Sequence, residues 1–212
     1  MASHRPRLYL VTDPVAHPDD LAPALSRALA AADIAAVLLR LAPADERTLI
    51  NRIKTLAPIV QERGAALVLD GYPDLVARSG ADGAHLTGIE ALQAALPTLK
   101  PARIAGVGGL HTRHDAMLAG EADADYLMFG QPEAGGVPPL DATLERVSWW
   151  SEVFQLPCVG YAASADAVAP LAAAGADFVA LGSSVWNDPA GPEAAVQAAA
   201  EAVAAAAPET VG

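Results

Sequence analysis

The chain has 212 residues, of which 53% are hydrophobic, and a formal net charge of −12; that size suits one domain with a sizeable core. An acidic protein of this sign repels polyanions over a Debye length, which argues against a nucleic-acid or anionic-membrane partner but leaves room for a small anion held by local donors. No run reaches the roughly 18 apolar residues of a membrane span and no signal-peptide pattern is read at the start, while the single Cys158 cannot form an internal disulfide, which fits a cytoplasmic location.

Residues 1–6 are expected to form a flexible end, Ala2 to Pro6 being polar and short; Arg7 to Thr12 then reads as a first strand. Asp19-Asp20 open a helical stretch from Leu21 to Ala32, and Ala32-Asp33 leads into a second apolar run ending at Arg40. A helix over Asp45 to Arg63 stops at Gly64, a strand covers Ala65 to Leu69, and Gly80 stops the next helix before Ala81-Asp82. Arg103 to Val107 is a fifth strand, and Ala124-Asp125 opens a sixth. Cys158 lies in a strand over Pro157 to Tyr161 and is assigned to core packing; a helix over Ala163 to Ala174 stops at Gly175, and Ala176-Asp177 opens an eighth strand. An Ala-rich helix follows Pro192, and residues 208–212 form a second expected loose end.

The Ala-Asp pair recurs at intervals of 49, 43 and 52 residues, each time before a short apolar run. Each interval is too long for one strand-helix unit and right for two, so the chain is read as a single α/β domain over 1–212, a (βα)8 TIM barrel. In such a barrel chemistry belongs to the C-terminal ends of the strands. Asp33, Asp82, Asp125 and Asp177 start their strands on the opposite rim, and loop and helix-end hydrogen bonding is expected of them.

The C-terminal rim offers Thr12 and Asp13, Arg40, Asp70, His85 to Glu90, Gly108-Gly109, Gln131, Tyr161 and Gly182-Ser183-Ser184. No lysine stands at a strand end, so Schiff-base chemistry has no nucleophile there. His85 is either a general base or a satisfied core histidine; His111 and His114, without a third ligand, read as solvated or capping residues. Asp70 and Glu90 are candidates for a shared cation such as Mg²⁺. The small turns Ala162-Ala163 and Gly182-Ser183-Ser184 allow backbone approach to a phosphate, and Gln131 to Pro139 is placed as a lid or a plain connection. Trp149-Trp150 is either a contact in a homo-oligomer or part of the core.

Four segments, Leu8-Tyr9-Leu10-Val11-Thr12-Asp13, Asp74-Leu75 with Gly80 to Leu86, Ala124-Asp125-Tyr126 with Phe129-Gly130, and Gly175 to Ala180, together resemble the thiamine phosphate synthase and thiazole tautomerase (TenI-like) family from about Leu8 to Pro189. The resemblance implies a (βα)8 barrel, and a synthase that joins a pyrimidine pyrophosphate to a thiazole phosphate with Mg²⁺ assistance. Cations are needed where charge develops on the leaving pyrophosphate.

Against that pattern the family's Gln-Leu-Arg-x-Lys is Leu38-Leu39-Arg40-Leu41-Ala42 here, its Asn-Asp-Arg is Asp70-Gly71-Tyr72, and its Gly-Gln-x-Asp is Thr87-Gly88-Ile89-Glu90. A family serine falls among Gly108 and Gly109, the Thr-x-Thr-Lys lid motif is absent from Gln131 to Pro139, and the phosphate-holding Gly-Gly is Ala162-Ala163. The tautomerase histidine is replaced by Gln131, an amide that cannot shuttle protons near neutral pH. The expectation is a thiamine-metabolism protein that binds a thiazole phosphate or related phosphorylated heterocycle with impaired synthase chemistry. On that reading Arg40 meets the anion, Gln131 and Tyr161 meet the ring, and Mg²⁺ enters only if synthase activity is retained. The alternatives are an active synthase or tautomerase with a rearranged site, with Arg40, His85 and Gln131 as catalytic candidates, or a non-catalytic scaffold barrel.

Overall fold

Side chains alternate across a strand, and the two faces of these strands bury two separate cores. The computed structural model describes residues 5–133 and 136–206; most of both expected loose ends, and Ala134-Gly135 of the expected lid, lie outside them. Strands β1 (Arg7–Val11), β2 (Ile34–Leu39), β3 (Ala66–Asp70), β4 (Gly83–Thr87), β5 (Ile104–Gly108), β6 (Tyr126–Phe129), β7 (Cys158–Ala162) and β8 (Phe178–Leu181) close in chain order into a parallel barrel. Tyr9, Val11, Leu38, Val68, Tyr126 and Tyr161 pack inside it, while Leu8, Leu10, Val37, Leu39, Leu67 and Leu69 face the helices.

The helices follow the expected spacing: α1 (Pro18–Ala31), α2 (Glu46–Gln61), α3 (Val76–Ser79), α4 (Ile89–Leu99), α5 (Arg113–Glu121), α6 (Leu140–Val153), α7 (Val168–Ala173), α8 (Ser183–Trp186) and α9 (Pro192–Ala206). Asp45 caps α2 by accepting from the Thr48 amide at 3.0 Å, and Thr112 and Asp115 form a reciprocal capping box on α5. Gly80 ends α3 at φ 84°, a left-handed conformation that side chains resist. The helical stretch expected from Ala163 starts instead with a 3-10 turn over Ala165–Ala167 and becomes α-helical at Val168. Trp150 is fully buried, stacked on Phe154 at 4.0 Å with its Nε1 donating to the Leu156 carbonyl at 2.7 Å, so it belongs to the core; Trp149 is half-buried beneath Arg113. Cys158 is fully buried, and burial pushes its thiol up to about 12. Among the described residues no helix is long and apolar enough to cross a membrane.

Two of the repeated aspartates bond helix ends as expected, Asp82 accepting from Gln61 Nε2 at 3.0 Å and Asp125 pairing with Lys100 at 2.7 Å, and three of the four also take up a strand amide. Asp82 Oδ2 accepts from the Leu67 amide at 2.7 Å, Asp125 Oδ2 from Ala105 at 2.7 Å and Asp177 Oδ2 from Cys158 at 2.8 Å. The carboxylates opening β4, β6 and β8 thus each satisfy an amide at the start of the odd strand before it, one residue ahead of the first register pair between the two strands. Asp33 departs from the rule: it takes both Arg7 Nε and Nη2, at 2.8 and 2.7 Å, at an exposed position. An ionised acceptor on a partly buried amide is worth about 1.5–3 kcal/mol, an exposed ion pair about 0.2–1 kcal/mol. Urea denaturation of Asp177→Ala should therefore show a loss of about 1.5–3 kcal/mol and that of Asp33→Ala less than about 1 kcal/mol; equal losses would contradict the distinction.

Candidate functional site

β5 carries glycine at two of its inward positions, Gly106 and Gly108, and this opens the space in which the site is built. In the barrel's register His85 on β4 is level with Gly106, and Gly106 is level with Tyr126 on β6. A Cβ at Gly106 would fall 2.0 Å from Tyr126 Cζ, and one at Gly108 would fall 1.9 Å from Gln131 Oε1. The missing side chains let Tyr126 and Gln131, from one side of β5, reach His85 on the other.

The result is a buried hydrogen-bonded chain. The Tyr9 and Tyr126 hydroxyls are 2.8 Å apart, the Tyr126 hydroxyl is 3.0 Å from His85 Nδ1, and His85 Nε2 is 3.0 Å from Gln131 Oε1. Tyr9 is 2% exposed and His85 1%. Burial lowers the His85 pKa, opposed by the Gln131 bond and by Asp70, so the ring is neutral at neutral pH. Burial pushes both tyrosine hydroxyls above their ordinary range.

Above this chain a cavity of about 340 Å³ opens at the C-terminal ends of the strands, lined by Val11, Leu38, Arg40, Asp70, His85, Thr87, His111, Met128, Gln131, Pro132, Glu133 and Tyr161. Arg40 is placed by Thr12, whose buried hydroxyl accepts from the Arg40 amide at 3.0 Å, and its Nε lies 3.3 Å from Asp70 Oδ2. His111 Nδ1 and Glu133 Oε2 face one another at 3.8 Å.

Of the residues singled out from sequence, Arg40, Asp70, His85, Gln131 and Tyr161 thus meet in one cavity. Ala162, Ala163, Gly182, Ser183 and Ser184 sit beside it and do not line it; Ala162 and Gly182 are buried, whereas Ala163 and Ser183 are exposed. Tyr161 stands between: a Cβ on Gly182 would be 2.0 Å from its hydroxyl. Glu90 is exposed on the first turn of α4, outside the lining, so Asp70 and Glu90 do not converge. Mg²⁺ takes octahedral oxygen ligands; the cavity offers the carboxylates of Asp70, already beside Arg40, and of Glu133, which faces His111, and among the described residues no three or more His, Cys, Asp or Glu side chains are grouped so that they could hold a metal ion, so the donor set does not fit the cation the family resemblance implies. Roles for Tyr9, Tyr126 and Glu133 were not read from sequence, and His111, expected to be a solvated or capping residue, lines the cavity. The inward glycines of β5 were the available signal for the first two.

The model of the family described as thiamine monophosphate synthase matches residues 8–185. The chain belongs to that family. It is 41% identical over 199 residues to a protein of Rhodospirillum centenum named thiamine-phosphate synthase, covering 90% of this chain and 94% of that one. A protein of Hyphomonas neptunium with the same name is 36% identical over 203 residues, with 92% of each chain covered. Among solved structures, a thiamine phosphate pyrophosphorylase from Pyrococcus furiosus superposes with a TM-score of 0.79 at 22% identity, covering 96% of this chain and 98% of that one, a likeness of fold. Membership places the chain in thiamine metabolism.

The buried neutral His85 has a measurable consequence. Its folded pKa lies below the unfolded value of about 6.5, so the unfolded chain binds the additional proton and stability falls as pH drops below about 6.5, by up to about 1.4 kcal/mol per pH unit until the folded pKa is reached. Urea midpoints measured from pH 7.5 to 5 should show this slope in the wild type and a flatter profile in His85→Gln; identical profiles would contradict a neutral buried ring.

Proposed function

We propose that this chain binds a thiazole phosphate or a closely related phosphorylated heterocycle at the barrel mouth, in the cytoplasm, and that its synthase turnover is weak. The observation that carries this is the charge of the cavity: Arg40 is the one arginine or lysine in the lining, it is paired with Asp70, and Glu133 adds a second carboxylate. A pyrophosphate leaving group needs several fixed cations as its charge develops, and losing one such group commonly reduces the rate by about 10²–10³. A monoester needs less. Its phosphate is taken by the small turns at Ala162-Ala163 and Gly182-Ser183-Ser184 together with Arg40, and its ring passes Tyr161 towards Gln131.

A second reading, an active synthase with a rearranged site, is favoured by the 41% identity to the Rhodospirillum centenum protein named thiamine-phosphate synthase. One pair of measurements decides between them. Wild-type protein with a pyrimidine pyrophosphate, a thiazole phosphate and Mg²⁺ should form thiamine phosphate at least about 10²-fold more slowly than the Rhodospirillum centenum relative assayed alongside it; comparable rates would establish the second reading. Thiazole phosphate at about 100 times its dissociation constant should stabilise the fold by roughly 2.7 kcal/mol, and Arg40→Ala should weaken binding by about 10- to 100-fold, the worth of a charged hydrogen bond. Absence of any stabilisation by thiazole phosphate would contradict the binding reading.

A further inference from the structure

The chain Tyr9–Tyr126–His85–Gln131 can run in two directions, and counting donors separates them. In one direction Tyr9 O–H donates to Tyr126, Tyr126 O–H donates to His85 Nδ1, and His85 Nε2–H donates to Gln131 Oε1, so every hydrogen in the chain has an acceptor. In the other the Gln131 amide is turned over, its N–H donates to His85 Nε2, His85 Nδ1–H donates to Tyr126 and Tyr126 O–H donates to Tyr9. The Tyr9 hydrogen then meets no acceptor among the described residues: Tyr9 is 2% exposed, and Tyr126 is the one partner of its hydroxyl there. A buried donor left unmade disfavours that direction by roughly 10- to 100-fold.

We infer that Gln131 turns its amide N–H2 group, and not its carbonyl, towards the cavity, that the ligand must present a hydrogen-bond acceptor there, and that Tyr9, Tyr126 and His85 are positioning residues that hold this orientation. No described residue accepts from Gln131 Nε2, and Gln131 lines the cavity. His85 has both ring nitrogens engaged, at 3.0 Å each, so it acts through Gln131. Of the other polar groups of the lining, Asp70 and Glu133 are carboxylates and Arg40 is turned to Asp70; Thr87, His111 and Tyr161 can donate, but none of them is bonded to the buried chain that fixes the direction of the Gln131 amide. A ring nitrogen without hydrogen meets the requirement, whereas an isosteric ring with C–H at that place leaves the amide unpaired, a difference worth about 10-fold or more in affinity. The ligand class rests on the function proposed above; the direction of the chain does not.

Long-range proton–nitrogen NMR of the ligand-free protein reads the direction from His85 itself. The Nε2–H tautomer with an unprotonated Nδ1 is expected, and the Nδ1–H tautomer would overturn the inference. In Tyr126→Phe the Nδ1 resonance should shift towards that of a nitrogen without a hydrogen bond; an unchanged resonance would remove Tyr126 from the chain. Should that variant not fold, the wild-type tautomer decides. Titrations with thiazole phosphate and its thiophene counterpart, which lacks the ring nitrogen, should show at least about 10-fold preference for the thiazole in the wild type and none in Gln131→Glu. Equal binding of the two by the wild type overturns the acceptor requirement. Failure of both to bind removes the proposed ligand class and the acceptor assignment with it, while the tautomer still reports the amide's orientation.

Discussion

The absence of side chains at Gly106 and Gly108 governs the interior of this barrel. A closed parallel barrel of eight strands is ordinarily filled by layers of side chains from alternate strands, and between His85 on β4 and Tyr126 on β6 the register places an inward position of β5 at which any side chain would collide with the Tyr126 ring. Here β5 leaves that space empty: the Tyr126 ring passes over Gly106, the Gln131 amide passes over Gly108, and both arrive at His85. The floor of the cavity is therefore polar and hydrogen-bonded where hydrophobic packing would be ordinary. Burial holds the imidazole neutral, which limits it to one donor and one acceptor and gives the chain a direction.

Stability and site are separated along the strand axis. At the N-terminal rim the carboxylates of Asp82, Asp125 and Asp177 satisfy amides at the starts of neighbouring strands, repeating one local solution in successive strand-helix pairs. In the cavity at the C-terminal rim Arg40 is paired with Asp70 across strands, and His111 faces Glu133. Thr12 and Trp186 tie the closing edge together, the first through the Arg40 amide and the second by donating to the Val11 carbonyl at 2.7 Å. A cavity built on strand ends and fixed by backbone-directed bonds is preorganised, which favours selectivity between similar small molecules over accommodation of different ones.

Much of the architecture was legible because the Ala-Asp repeat and the alternation of strand and helix periods reported it directly; all eight strands lie where those signals put them. Arg40, Asp70 and Gln131 could be brought to one cavity from sequence since each ends or follows a strand, and His85 and Tyr161 since each faces inward from the C-terminal half or middle of its strand. What the sequence hid was lateral. Nothing in the residues near Asp177 says that its carboxylate meets the amide of Cys158, and nothing near Tyr9 says that its hydroxyl meets Tyr126, because both bonds join strands whose register is set by closure of the barrel. Glu90 was paired with Asp70 by its place after β4, but it begins a helix and points outside the cavity lining. Likewise the turns at Ala162 and Gly182 lie outside the cavity lining, and at Gly182 the Tyr161 hydroxyl leans over the glycine.

A crystal structure of Gly108→Ala tests the central claim most directly. The added methyl would occupy the place of the Gln131 amide oxygen, 1.9 Å from its position in the wild type, and the amide is the far end of a flexible side chain. The barrel should remain superposable while Gln131 swings away and His85 Nε2 loses its partner. A structure in which Gln131 Oε1 stays within about 3 Å of His85 Nε2, a normal hydrogen-bond distance, would show that the gap on β5 is not what joins them.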